Sequence, residues 1–515
     1  MNTSRCSKVT HNGSGWIRRI GARPMKMLVR LAVGDITLAN PKKVSRKTDM
    51  KNSYLSIALV LITTGCSSYD FEQNISAVNE NSEVVFAGEV IAAKDIDEQN
   101  ALKERAKTLL ENQIGEAEAV ELMLTKSPAF QKLLFNNLRE GSLAAQTGRI
   151  PNPAFAFERM VKGSETEYGR FLTFGLLDLA SLPSRQKSSK IAVEIATVNL
   201  ESEIFSSIME VRFAWLDAVA AEQRFSIAED TFVALSASAE MAKRMKQTGN
   251  MTTSDRIRQQ LLYSEATIAL AKAKQTKITK RERLIRLIGL NDDEADTFSL
   301  PDSLPDVPET PALMEEITRN FENRFDVTLA RLDYELALAR TGVENVSSYT
   351  DIEIGLRNDR INDDGSISNK KGYEIEIQIP LFDWGNLQRD AMQAEVLSKQ
   401  QNYKQVLLSA VSDIRSAYNA YRTSFDIAQH YQNQIIPMHE TLLEEATYNY
   451  NGMIIGVFEL LEAGREKSLA ETNGIEANHN LLVSELNLKN VALGKPANVE
   501  TGAISATKIK KKKGH

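Results

Sequence analysis

The strongest constraint on this chain is an internal repeat. At an offset of 203 residues, Ile204, Ile208, Val211, Arg212, Trp215 and Gly249 recur as Leu407, Val411, Ile414, Arg415, Tyr418 and Gly452. Two copies in one register mean that one structural unit is built twice. The spacing of the apolar positions places them on one helical stripe. Both copies therefore read as amphipathic helices whose narrow seam suits coiled-coil-like packing.

Each copy has the same order of elements. A short helix comes first, over 117–145 and 311–340, and two alternating strands follow. In the second copy, 352–357 and 373–379 alternate apolar and polar residues around a polar turn. In the first, 154–161 and 171–179 flank a turn over 162–168. Next comes a helix of about 66 residues, 183–248 and 386–451, on the order of 100 Å long at 1.5 Å per residue. No compact globule holds such a rod.

Gly249 and Gly452 are expected to end the rods with a positive φ. Thr252, Thr253, Ser254 and Asp255 then offer N-caps to a returning helix. The return helices span 255–288 and 456–493, and Pro437 should kink the second rod. The repeats are thus 110–290 and 311–495, joined by a Pro-rich linker, 291–310.

Four strands cannot close a barrel, and an open sheet edge in lipid leaves N–H and C=O groups unpaired at several kcal/mol each. Other chains must close it; three protomers would supply 12 strands, an even number within the range of outer-membrane barrels. The rods argue the same way, since a narrow apolar stripe on a hairpin without its own core must be buried against neighbours. The expected fold is mostly α with a small β part. Long antiparallel helical hairpins form a trimeric α-barrel coaxial with a 12-strand transmembrane β-barrel built from four strands per chain.

The amino terminus reads as a targeting segment. Met50-Lys51 begins it, the apolar run 55–62 forms its core, and Thr63-Thr64-Gly65-Cys66 ends it. The run is far short of the roughly 20 residues of a spanning helix. It resembles a bacterial lipoprotein signal over 50–65, with Cys66 the lipidated first residue of the mature chain. Ser67-Ser68 lacks the Asp of inner-membrane retention, which points to the outer membrane. Residues 1–49, basic throughout, are expected to lie upstream of the true start. Residues 66–109 are expected to be a flexible segment, and 496–515 a solvated basic tail.

The full chain carries 62 basic and 68 acidic residues. Residues 1–65 hold 12 of the basic and two of the acidic ones, so the rest stands at 50 against 66, a net −16. A nucleic-acid partner needs a concentrated basic surface and is excluded. With Cys6 lost and Cys66 lipidated, no thiol remains for a disulfide or metal site. The five His form no metal-protease motif, and no phosphate loop or dinucleotide fingerprint occurs. No catalytic residue, cofactor or bound metal is expected. Glu353, Glu374, Glu376 and Gln378 alternate with apolar residues and are expected to line a lumen.

Several segments resemble TolC-type outer-membrane factors, the exit ducts of Gram-negative efflux and type I secretion machines. Ile379-Pro380-Leu381-Phe382-Asp383-Trp384-Gly385-Asn386 is similar to the family's strand-to-helix junction Pro-Leu-Phe-Asp-x-Gly. In copy one, Pro183-Ser184-Arg185 is closer to the form in metal-efflux branches. Arg244 to Gly249 and Tyr448 to Gly452 resemble the family's helix tips. The resemblance covers roughly residues 110–495.

It implies a homotrimer with a periplasmic tunnel and an equatorial collar made by the inter-repeat and C-terminal segments. It also implies docking to a periplasmic adaptor that joins an inner-membrane pump. The junction residues would be Pro183, Arg185, Pro380, Phe382, Asp383 and Gly385. The adaptor-docking tips would be Gly249, Asn250, Met251, Thr252 and Thr253, with Gly452, Met453, Ile454, Ile455 and Gly456. A bulky residue at Gly452 should then abolish export while trimers still assemble. The function expected is a passive outer-membrane duct, perched on a lipid anchor and reaching into the periplasm. The copy-two tip favours metal cations as cargo. A multidrug or type I secretion duct is the alternative within this class, and a structural periplasm-spanning lipoprotein the alternative outside it.

Overall fold

The structure, a computed structural model, describes residues 69–82, 88–314, 324–347 and 351–497. The expectations for residues 1–65, for Cys66 and for most of the tail 496–515 lie outside the described residues. What is described is mostly helical, with one small sheet.

Among the described residues, four helices precede the first strand: α1 (Phe71–Ser82), α2 (Ile96–Leu110), α3 (Glu116–Lys126) and α4 (Pro128–Gln146). The single helix expected over 117–145 is two, because Pro128 has no N–H for the carbonyl four residues back. Ser127 instead takes an extended conformation and caps α4. Nor are the described residues 69–82 and 88–109 the flexible segment expected over 66–109. Phe71, Ile75 and Val78 share one face of α1 and are buried, and Asp95 and Glu98 form a capping box that starts α2.

Strands β1 (Ala154–Lys162) and β2 (Glu165–Gly175) form the first hairpin. The strand expected to run to 179 ends at Gly175, where α5 (Leu176–Gln247, 72 residues) begins seven residues ahead of Pro183. Leu176-Leu177-Asp178-Leu179 does not alternate, and Asp178 sits in the first helical turn, where a negative charge is favoured. Helix α6 (Thr253–Ile288) returns alongside α5, and the short α7 (Asp292–Thr297) opens the linker.

The second copy follows with α8 (Phe325–Ser347), β3 (Ile352–Asp363) and β4 (Ser366–Ile377). Both strands are longer than the sequence pattern indicated. They meet at Asp364-Gly365, whose φ values of 45° and 87° match the tight Asp-Gly hairpin turn. The rod is α9 (Asn386–His430), a π-turn (Tyr431–Ile435) and α10 (Ile436–Asn451), and α11 (Val457–Ala492) returns beside it. The disturbance expected at Pro437 is thus a π-turn just ahead of it.

Helix α6 and helix α11 are both 36 residues long. Their starts, Thr253 and Val457, are 204 residues apart, whereas the rod seams match at 203. One extra residue has entered the second rod, and a π-turn is how a helix absorbs one. The tips register the shift. Gly249 has φ 80° as expected, but Gly452 has φ −78° and the left-handed residue is Met453, φ 57°.

The largest core surrounds the middle of α5. Leu200, Ile204, Ile208, Val211 and Trp215 are buried against α3, α4, the end of α6 and the linker residues Phe298, Leu300 and Leu304. The Trp215 indole N–H donates to the Ile114 carbonyl at 2.8 Å. This core is therefore built by the N-terminal helices as well as by the linker. The equivalent seam of copy two is different, for Ile414 is buried while Val411 is 48% exposed. Copy one fills its seam within the chain and copy two leaves part of its seam open.

Candidate functional site

The sheet has the order β1-β2-β3-β4, antiparallel throughout, so each hairpin lies beside the other and β1 and β4 are its edges. The register sorts every strand residue onto one of two faces. One face carries Phe155, Leu172, Leu356 and Tyr373 in a single cross-strand row, with Phe174, Ile354 and Ile375 in the row nearer the helices. The other carries Glu158, Glu167, Glu353, Asp359, Glu374 and Glu376, with Glu165 and Asp363 beside the turns.

Glu353 stands directly opposite Glu376, and Glu374 opposite Gly355. Gln378 lies one residue past β4, its N–H donating to the Asp351 carbonyl at 3.0 Å. Like charges facing each other across strands are destabilising unless solvent or cations lie between them. On the same acidic face the Arg357 Nε donates to Asp359 at 2.6 Å, and its guanidinium lies over the Phe171 ring.

The junctions between sheet and rods differ between copies. In copy one, Arg185 donates to the carbonyls of Thr147 and Arg149 and pairs with Asp178 at 3.1 Å, so α5 is tied to the end of α4, while Pro183 is exposed. In copy two, the Gly385 N–H donates to Asp383 at 2.8 Å and Gly385 takes φ 67°. That accounts physically for an Asp and a Gly two residues apart. Around this turn Leu381, Phe382 and Trp384 are exposed, Phe382 by 98%, and Pro380 is half-buried.

At the opposite end of the rods the two tips also differ. The copy-one tip is polar: Gly249, Asn250, Thr252 and Thr253 are exposed, Met251 is half-buried, and Thr252 caps Asp255 of α6. The copy-two tip presents Met453, 93% exposed, and Ile454. Ile455 is half-buried, and the Gly456 N–H donates to Glu459.

Sequence reasoning passed over one buried charged cluster. Asp217 of α5 accepts from Lys280 of α6 at 2.6 Å and meets His479 of α11 at 2.9 Å. Burial alone would raise the Asp217 pKa, but hydrogen bonds from His479 and Lys280 outweigh it and hold the carboxyl below its ordinary value. No local pattern marks this cluster, because its members come from three helices.

Among the described residues, no helix is long and apolar enough to cross a membrane, and no group of three or more His, Cys, Asp and Glu gathers as a metal site. The architecture is two rod hairpins continued by a four-stranded sheet with one apolar and one acidic face.

Known proteins agree with it. The sequence profile of the outer membrane efflux protein family matches residues 317–494. The cobalt-zinc-cadmium resistance protein CzcC of Cupriavidus metallidurans is 23% identical over 324 residues, 61% of this chain and 75% of that protein. A membrane protein from Pseudomonas aeruginosa shares the fold at a TM-score of 0.61 and 16% identity, covering 76% of this chain and 90% of its own. The CusC channel shares it at 0.57 and 16%, covering 76% and 92%. Residues 317–494 thus match an outer membrane efflux protein family, and the described chain shares the fold of the CusC channel; family and fold are those of transport proteins rather than of enzymes.

Proposed function

We propose that the protein is the trimeric outer-membrane channel of a tripartite efflux system, a passive exit duct for metal cations. The observation that supports this most is the four-stranded sheet with two free edges and segregated faces. Pairing β4 of one protomer with β1 of the next removes both edges, and three protomers close a 12-strand barrel. The apolar face then meets lipid, and Glu353, Glu374, Glu376 and Gln378 line the lumen. The open seam of α9 is buried against the next protomer, which makes the rods a tunnel.

The tips, Gly249 to Thr253 and Gly452 to Gly456, dock a periplasmic adaptor that joins an inner-membrane pump. The copy-two tip, with Met453 and Ile454 bare, supplies the apolar contact. Cys66 is the lipidated residue after removal of the signal peptide 50–65, so the mature chain is anchored in the outer membrane and extends into the periplasm. Metal cargo is supported by the likeness to a cobalt-zinc-cadmium resistance protein and by the acidic sheet face.

The test has two parts. Purified protein in a planar bilayer should conduct ions and run as a trimer. In a strain deleted for its own gene, the full chain should restore tolerance to cobalt, zinc or cadmium. A protein that stays single and passes no current overturns the proposal. Restored tolerance to drugs but not to metals would move the cargo to the multidrug class.

A further inference from the structure

The apolar face of the sheet has a second property. Moving from the helices toward the hairpin turns, the row Phe155-Leu172-Leu356-Tyr373 is followed by Phe157-Arg170-Asn358-Lys371 and then by Arg159-Tyr168-Arg360-Asn369. Rows are two residues apart, roughly 7 Å along the strand. Arg159, Arg170, Arg360 and Lys371 are all exposed, and this face of the four strands holds no carboxylate. Every Asp and Glu of the strands lies on the opposite face.

Such a distribution is not what solvation alone produces. A solvated rim would carry both signs, as the opposite face does with Glu158, Lys162, Asp359 and Lys370. A cation at the bilayer midplane of a barrel costs about 2–4 kcal/mol, and close to nothing at the interface. The two basic rows are therefore set at a headgroup layer. They occur in the turn half alone, followed only by the uncharged row Val161-Thr166-Asn362-Ile367 beside the turns, and the rows Phe174-Ile354-Ile375 and Ile352-Ile377 near the helices are uncharged as well.

The inference rests on the channel reading above, which makes this face the outward one and the turn end the cell-exterior one. We infer that Arg159, Arg170, Arg360 and Lys371 form a docking surface for the phosphates of a multiply phosphorylated glycolipid of the outer leaflet. Arg170 and Lys371 stand two strands apart with Asn358 between them, about 10 Å from backbone to backbone. That is room for one phosphate held by a guanidinium fork and an ammonium together. Tyr168, under the Arg159 guanidinium at 5.9 Å, steadies the second row. Repeated around a closed barrel, these rows make a basic girdle against the outer leaflet.

The test uses the full-length protein in detergent, incubated with bis-phosphorylated lipid A or with its dephosphorylated form and read by native mass spectrometry. Wild type should retain the phosphorylated lipid at least about tenfold better than the dephosphorylated one, since each cation near an anionic lipid layer contributes about 1 kcal/mol. R159Q/R170Q/R360Q/K371Q should lose that preference, R159K/R170K/R360K should keep it, and K162Q/K370Q on the acidic face should leave it unchanged. Planar-bilayer conductance in phosphatidylcholine separates the two readings. A quadruple variant that conducts normally and still prefers phosphorylated lipid A overturns the lipid surface and leaves the channel standing. Loss of the preference in K162Q/K370Q alone would mean the faces are reversed, and an absence of current in wild type would overturn both.

Discussion

The carboxylate of Asp217 and the imidazole of His479, 262 residues apart in sequence, meet at 2.9 Å and join the first repeat to the second. Lys280 holds the other carboxylate oxygen. Three helices, α5, α6 and α11, are thereby fixed at one level of the rods by a buried anion.

Replacing that anion leaves two donors facing a neutral group. D217N should cost about 2 kcal/mol, in the range for a hydrogen-bonded charged group, discounted because Lys280 is one third exposed. Its pH dependence follows from the lowered pKa. The carboxylate stabilises the fold above its ordinary value near 3.9, and this contribution is lost as pH falls through its lowered folded-state value. Thermal melts from neutral to strongly acidic pH should show wild type losing more stability than D217N below the ordinary carboxylate range. Parallel curves would show that Asp217 has no such role.

The two left-handed tip residues make an opposed pair of predictions. Gly249 at φ 80° pays nothing for its conformation, whereas Met453 at φ 57° carries the Cβ penalty of about 1 kcal/mol. G249A should lower stability and M453G should raise it, each by about 1 kcal/mol in a denaturant melt. Gly452 has ordinary φ, and an added Cβ would meet nothing nearer than the Tyr448 carbonyl at 3.4 Å. An export defect in a Gly452 variant should therefore come without loss of stability, which an export assay beside a melt will decide.

Glu353 and Glu376 face each other across β3 and β4 with Glu374 beside them. Replacing all three with Gln removes like-charge repulsion, so stability should stay level or rise by a few tenths of a kcal/mol. If the acidic face lines the lumen, the ratio of cation to anion permeability should fall, measured as a shift in reversal potential under a salt gradient. An unchanged reversal potential would place these residues away from the ion path.

How far the sequence revealed this architecture depended on the range of each signal. The return helices were legible to within a few residues because their caps and stripes are local. The start of α5 was not, since Leu176-Leu177-Asp178-Leu179 is an apolar run too short to separate strand from helix. The order in 69–82 and 88–109 was visible in Phe71, Ile75 and Val78 at helical spacing and in Asp95 with Glu98, but these residues lie outside the repeat that guided the reading. The basic rows and the Asp217 cluster depend on strand register and on residues hundreds apart, which no local pattern encodes. The sheet's acidic face was partly legible, because Glu353, Glu374 and Glu376 alternate with apolar residues.

The π-turn over Tyr431–Ile435 gives the last prediction. The Ile436 N–H donates to the Tyr431 carbonyl, five residues back. Pro437 has no N–H to offer Asn433, so an ordinary helix through this point would cost about 3 kcal/mol. Above the turn Tyr421, Phe425 and Ala428 are buried against Ala477 and Leu481 of α11, while α10 below it has no buried residue. Gly474 of α11 faces Ile436, and a cavity of about 330 Å³ lies beside them. If the turn holds the one residue by which the second rod exceeds the first, removing it should restore a plain helix without shifting the seam below. Deletion of Gln434 combined with P437A should therefore retain wild-type stability to within about 1 kcal/mol, whereas deleting Gln405 from α9 slips the packed stripe and should cost several. Equal losses from the two deletions, in melts of the purified proteins, would show that the π-turn is not where the extra residue sits.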